Sequence, residues 1–315
     1  LFLVYNRPQP TRRVFAAIRA AQPPRLYIAA DMPPADPPGA MAEAVALRAE
    51  IVAQIDWRCQ VRTLLREHHL GCGAAVSGAL DWFFQHEEEG IVLEDDCLPD
   101  PTFFAFATEL LEHYRDDQRV MNIAANHFNW RDHSCPYSFF FSRSHFSWGW
   151  ASWRRAWRHY DVGIRLWPQL RRSDWLLAIG EGDRAFRRYW TRKFDELYAG
   201  KIDTWDYQWT FACWAHSGLT VVPSRNLVRN LGFGAGATHT RRRRLHLERM
   251  PLEPMPWPLA YPPCTVRDCA ADWWMDRTEQ RIHWQDVIAF ALANGWRNAR
   301  ARWSGTWDSV GDDAK

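Results

Sequence analysis

The sequence predicts an α/β protein: a mostly parallel central sheet flanked by helices, with a C-terminal extension. Three observations carry that reading. Through the first third, short apolar runs alternate with helix-length segments, the pattern of parallel strands joined by right-handed crossovers. Three of the runs end at Asn6, at Asp31 and at Glu94-Asp95-Asp96, and ligands on such sheets gather beyond the C-terminal strand ends. Hydrophobic residues make up 47% of the 315, which supports a large core in one or two domains.

Leu1 to Tyr5 is an apolar run fit for a buried strand, and Asn6-Arg7-Pro8 breaks it. Thr11 is placed to cap a helix that runs to about Ala21. Arg25 to Ala30 is the second strand. Prolines 33, 34, 37 and 38 mark the next loop, before a helix from about Ala40 to Ile55. Arg58 to Leu65 reads as the third strand and Ser77 to Gln85 as an apolar helix. Gly90 to Leu93 is a short strand that runs directly into the acidic triplet. The middle of the chain is less regular. It holds a helix from Pro101 to Arg115, a strand at Ser138 to Ser142 and an aromatic stretch from Phe146 to Trp157. Helices follow over Trp175 to Tyr198 and Trp205 to His216, then a strand at Leu219 to Val222. After His239 the character changes. Arg241 to Arg244 is a basic run, residues 251–263 hold six prolines, and Gln280 to Arg302 has the pattern of a basic amphipathic helix. The expected divisions are 1–98, 99–240 and 241–315, with no internal repeat.

Composition narrows the partners. A formal net charge of +2 argues neither for nor against a polyanion partner, and no nucleic-acid partner is expected. The seven Cys form no CxxC pair and are odd in number, which argues against a disulfide framework or zinc site and for a reducing compartment. Cys264 and Cys269 are the one candidate pair. No run approaches the roughly 18 apolar residues of a membrane span, and no signal peptide is visible. The expectation is a cytoplasmic protein, with peripheral membrane contact through the helix around 280–302 as an option. The chain opens at Leu1 inside a strand pattern with no Met before it, so a preceding targeting segment stays open.

Several residues are candidates for chemistry. Glu94, Asp95 and Asp96 follow an apolar strand. Three adjacent carboxylates repel one another, and a hard cation such as Mn²⁺ or Mg²⁺ relieves that repulsion through oxygen ligands; a solvated turn is the alternative. Asp31 ends a strand, where it can meet a ribose or base edge or cap a turn. Arg7, Arg62 and Arg66 are candidates for phosphate or base contacts through bidentate donors. Asp206 lies between Trp205 and Tyr207. Burial beside rings raises a carboxylate's pKa towards the general-base range, while a helix cap is the bland alternative. The loop Gly232 to His239 is rich in glycine, Gly234 among them, so its backbone can approach an anion closely. His239 can add a nitrogen ligand. Trp148 and Trp150 offer flat faces to a sugar ring, or else fill a core; the chain has 20 Trp, most expected to be structural.

In order, strand–Asn6-Arg7-Pro8, Ala29-Ala30-Asp31 and Gly90-Ile91-Val92-Leu93-Glu94-Asp95-Asp96-Cys97-Leu98-Pro99 resemble the bacterial nucleotide-diphospho-sugar transferases of the GT-A (Rossmann-like) fold. Trp148 to Trp153, Trp205 to Trp209 and Gly232 to His239 look like the same group, so the resemblance spans about 1–240. Glu-Asp-Asp followed by Pro101-Thr102-Phe103-Phe104 is also similar to N-acetylglucosaminyltransferase I. The resemblance implies the nucleotide-sugar half in 1–98 and the acceptor half in 99–240. It implies Asp96 as direct metal ligand, Glu94 and Asp95 near the ribose and the metal's water shell, and Asp31 on the nucleoside. It further implies Asp206 as the base of an inverting transfer and His239 as a late metal or diphosphate ligand. Trp148, Trp150 and Trp205 would meet the substrate. The expected partners are a UDP-sugar donor and a hydroxyl acceptor on a glycan, a lipid-linked sugar or another molecule. The competing expectations are a retaining transferase, a nucleotidyltransferase and a non-catalytic Trp-rich carbohydrate-binding protein.

Overall fold

The computed structural model describes residues 1–35, 38–128, 133–233, 245–248, 250–278, 280 and 282. Its strands are β1 (Phe2–Val4), β2 (Arg25–Ala30), β3 (Gln60–Leu65), β4 (Glu89–Glu94), β5 (Cys97–Pro99), β6 (Val120–Ala124), β7 (Phe139–Ser142), β8 (Trp150–Trp153), β9 (Leu219–Pro223) and β10 (Val228–Asn230). The longer helices are α1 (Pro8–Ala21), α2 (Ala40–Ala53), α3 (Cys72–His86), α4 (Pro101–His113), α8 (Arg184–Tyr198), α9 (Asp206–Ala215) and α11 (Cys269–Thr278). Short ones are α5 (Arg154–Trp157), α6 (Trp167–Leu170), α7 (Trp175–Ile179) and α10 (Leu245–Glu248).

Eight strands form one sheet in the order β3-β2-β1-β4-β8-β6-β9-β7. β3, β2, β1 and β4 are parallel. β8 runs antiparallel between β4 and β6, β9 is parallel to β6, and β7 closes the edge antiparallel to β9. The fold class expected from the sequence is therefore the one observed, an α/β molecule with a mostly parallel sheet between helices. The ends of β1, β2 and β4 lie on one edge, which is where the acidic residues were expected.

Each face of the sheet carries its own core. On one side α1 (Val14, Phe15, Ile18), α2 (Leu47, Ile51) and α4 (Phe103, Phe106, Leu110) cover Phe2, Val4, Ile28 and Leu93. On the other, α3 (Leu80, Phe83, Phe84) and α9 (Trp209, Ala212, Cys213) cover Leu3, Tyr27, Val92 and Trp150. Every residue of α9 from Gln208 to Trp214 is buried, because Phe211 and Trp214 also pack against Phe186, Trp190 and Phe194 of α8. A helix that is apolar all round has to lie inside.

The structure departs from the sequence reading in four places. α1 begins at Pro8 rather than after Thr11; proline suits the first helical turn, and the Thr11 hydroxyl donates back to the Arg7 carbonyl at 2.6 Å. α3 begins at Cys72, five residues before Ser77. The expected helix from Trp175 to Tyr198 is two helices, since Glu181 and Gly182 take positive φ and Asp183 caps α8 through the Ala185 and Phe186 amides. β6 and β8 were not anticipated. Asn122 interrupts the apolar run of β6, and the tryptophans of β8 mask its strand alternation.

Residues between 251 and 278 contribute to the core. Met255 and Leu259 join the first cluster, while Ala271 and Met275 cover Phe140 and Val222. Cys264 and Cys269 are both free. Among the described residues no helix is long and apolar enough to cross a membrane. Gly234, His239 and the run Arg241 to Arg244 lie outside the described residues, as does the expected helix from Gln280 to Arg302 apart from Gln280 and Ile282.

Candidate active site at the strand ends

β4 delivers the three carboxylates to the sheet edge, each into a different environment. Asp95 is buried. It accepts the Tyr5 amide at 3.0 Å and a short ion pair from the Arg7 guanidinium. Asp96 takes the other side of the same guanidinium, at 2.6 Å. Glu94 makes no hydrogen bond among the described residues and faces a cleft. Burial pushes Glu94 up to about 8, helped by the charges of Asp96 and Asp95 and, further off, Asp206; Arg7 opposes the rise. Burial likewise pushes Asp95 up to about 6 against the pull of Arg7. One arginine thus serves three acids.

The cleft measures about 250 Å³ and runs between the ends of β1 and β2 and the start of α3. Leu3, Ala29, Leu64, Ala75, Val76 and Ala79 make it largely apolar, and Tyr5, Asp31, Arg66, His69, Cys72 and Asp203 bring polar groups to it. Asp31 accepts the amides of Leu70 (3.0 Å) and Gly71 (3.3 Å), so it anchors the loop after β3 while lining the cleft. The His69 Nδ1 lies 2.8 Å from the Met32 carbonyl and 3.0 Å from Asp31. A carbonyl only accepts, so Nδ1 carries the proton. The Cys72 thiol is pushed up to about 12, first by burial and then by Glu94, Asp206, Asp203 and Asp31. It is a neutral surface at ordinary pH and no nucleophile.

Asp206 opens α9 at the same edge. Its Oδ1 accepts the Tyr207 amide at 2.9 Å and a short bond from the Thr204 hydroxyl. Its Oδ2 has no hydrogen-bond partner among the described residues. Asp206 lies three residues after Asp203, which lines the cleft, and its charge adds to the rise of Glu94 and Cys72. Asp203, three residues earlier, accepts the amides of Cys72 (2.9 Å) and Gly73 (2.8 Å) and caps α3 from outside it.

The tryptophans divide. Trp148 stands half-buried at the site edge, with Phe128 and Phe233 against its ring at 4.9 and 5.6 Å. Gly149 takes φ +66°, a conformation that side-chain-bearing residues rarely adopt, and a side chain there would press tightly on Leu93 and Ala125. That turn sends Trp148 out and Trp150 in. Trp150 is fully enclosed and stacks on Trp205 at 5.5 Å, itself 3% exposed. The expectation that Trp150 and Trp205 meet a substrate is corrected here: both fill the core between the sheet and α9. Arg62 is likewise off the site. It is exposed on β3, level with Tyr27, and does not line the cleft, whereas Arg66, further along the strand, does.

From β9 the chain returns through β10, which pairs with β5, to place Leu231 on the Asp96 carbonyl (2.7 Å). A side chain at Gly232 would lie 2.1 Å from the Asp96 carboxylate, so the glycine permits this close approach. Tyr5, His69 and Cys72 were not singled out from sequence. The pattern Gly71-Cys72-Gly73 after a strand was the available sign for the helix start, and Tyr5 directly precedes the Asn6 strand end.

Among the described residues no three His, Cys, Asp or Glu side chains converge as ligands for a metal ion. The donor chemistry nonetheless suits a hard cation that takes most of its shell from elsewhere. Carboxylate oxygens are in excess over the single arginine, and Glu94 is without a hydrogen bond.

No protein-family model matches the chain, and no curated protein matches it. Among solved structures, a galactosyltransferase, LgtC, in complex with donor and acceptor sugar analogues matches over 90% of this chain and 95% of that one. The identity is 13% and the TM-score 0.37.

Proposed function

We propose that the chain is a metal-dependent glycosyltransferase, inverting in outcome, that moves a sugar from a UDP-sugar to an acceptor hydroxyl. The observation that carries the reading is convergence. A largely apolar cleft with a strand-end acid, an acidic cluster in need of positive charge, and a half-free carboxylate at a helix start share one sheet edge.

The nucleoside would enter the cleft beside Tyr5, Asp31 and His69, with Arg66 at its rim. Arg7 would contact the diphosphate. Asp96 would hold Mn²⁺ or Mg²⁺, with Glu94 and Asp95 behind it and His239 as a further ligand. When bound, that ion supplies Lewis-acid charge against the negative charge that grows on the leaving diphosphate. Asp206 Oδ2 takes the proton of the acceptor hydroxyl, while the Thr204 hydroxyl and the Tyr207 amide hold Oδ1 and so fix the carboxylate's orientation. Trp148 offers its ring to the sugar or acceptor. The alternative of a non-catalytic Trp-rich carbohydrate-binding protein predicts no turnover or hydrolysis of a nucleotide sugar in the presence of Mn²⁺.

The test is turnover of UDP-sugars in the presence of Mn²⁺. Asp206→Asn should lower kcat by roughly 10²–10⁴-fold while UDP affinity is kept. Near-normal turnover in that variant would remove Asp206 as the base and favour Asp203 or a retaining route. Asp96→Ala should abolish Mn²⁺-dependent UDP binding in calorimetry; unchanged binding would remove the metal role.

A further inference from the structure

Arg7 occupies the place where the proposed cation belongs. Its guanidinium bridges Asp95 and Asp96, reaching Asp96 Oδ2 at 2.6 Å. Asp95 is already committed, since its Oδ2 also accepts the Tyr5 amide and meets the Thr11 hydroxyl at 3.5 Å. Asp96 is not. Its Oδ1 has only the weak Cys97 thiol at 3.4 Å, and its Oδ2 is open to Arg7 because residue 232 is glycine. The guanidinium does not fit this position completely, for its Nε–H is buried with no hydrogen-bond partner among the described residues. An unmet buried donor costs free energy, so the resting arrangement leaves Arg7 ready for a better acceptor.

We infer that Arg7 is the resident counter-cation of this site and makes divalent-ion binding conditional on the diphosphate. Without nucleotide, the guanidinium holds Asp96 and competes with the ion. An arriving diphosphate offers bidentate oxygens that suit a guanidinium better than two separate carboxylates do. Arg7 then moves to the phosphates, and the Asp96 oxygens become free. The consequence is ordered loading, in which the ion enters with the donor and not ahead of it. This inference rests on the donor-site reading above.

Mn²⁺ binding followed by electron paramagnetic resonance, with Mn²⁺ alone and then with UDP, tests it without any turnover. Wild type should bind Mn²⁺ weakly alone and at least about tenfold more tightly with UDP, a change of about 1.4 kcal/mol. Arg7→Gln should bind Mn²⁺ alone about tenfold more tightly than wild type and gain less from UDP. Arg7→Met, of similar reach, serves if the glutamine variant folds poorly. Equal binding of Mn²⁺ alone by wild type and the Arg7 variants overturns the competition but leaves the metal site standing. Wild type that binds Mn²⁺ alone as tightly as with UDP overturns the ordering. No Mn²⁺ binding by any form, with or without UDP, overturns this inference together with the metal reading.

Discussion

His145 shows how much a single side chain can be set by its surroundings. Its ring meets the edges or faces of Trp150, Trp205 and Trp209 at 5.6, 5.8 and 6.2 Å, and neither nitrogen has a hydrogen-bond partner among the described residues. Burial lowers its pKa to about 3. The unfolded chain gains a proton below about pH 6.5, and the folded one does not until about pH 3. The folded-state value is the lower one, so this histidine's contribution to stability is lost as pH falls through that window. At about pH 5 the loss is about 2 kcal/mol. Raised carboxylates elsewhere, Glu94 among them, oppose the slope, so the measurement has to be differential. His145→Phe should gain about 2 kcal/mol on wild type between about pH 7.5 and pH 5 in denaturant unfolding. A constant difference across that range would show that His145 is already charged or accessible in the fold.

Between elements, Asp203 is the joint. It precedes α9, yet its carboxylate caps α3, 130 residues away along the chain. Gly71 and Gly73 let it come close, since a side chain at either would lie 2.7 Å from its oxygens. The cap offsets two amides that α3 leaves without an internal partner. It also fastens the cleft wall to the helix that carries Asp206. Asp203→Ala should cost about 1 kcal/mol of stability in thermal or denaturant unfolding, and it should weaken UDP binding more than a distant substitution of equal cost. Retention of full UDP affinity would mean that α3 holds its position without the cap.

At the scale of the whole molecule, the chain after 250 is tied to the sheet by a buried charge network. Asp272 accepts the Ser142 hydroxyl in a short bond and the Arg143 amide at 3.2 Å, and Arg143 pairs closely with Asp276. Arg143 and Asp272 are both buried. Arg143 is the cation that both acids share, at 3.6 Å from Asp272 and in a close pair with Asp276, so removing it leaves buried carboxylates uncompensated, at a cost of about 3–5 kcal/mol. Arg143→Met should lower global stability by about that amount, read from denaturant midpoints at unchanged slope. A change below about 1 kcal/mol would show that α11 adds little to the fold.

The first four strands, the acidic edge and the fold class were legible from residue order alone, because each is a local pattern: an apolar run, a terminus, a charge that cannot stay inside a strand. The approach of Arg7 to Asp95 and Asp96, 88 and 89 positions on, was not legible, nor was the cap that Asp203 places on α3. Those pairings depend on which ends the sheet brings together. The fate of Trp148 and Trp150 was decided the same way. Residues two apart in a strand share a face, and it is the positive-φ turn at Gly149, just ahead of β8, that separates the two rings. The sequence by itself determined a sheet with a charged edge. Only the tertiary structure decided that one arginine pairs with both Asp95 and Asp96, that Trp150 is enclosed while Trp148 stays half-buried, and that Asp206 opens its helix three residues after the acid that caps α3.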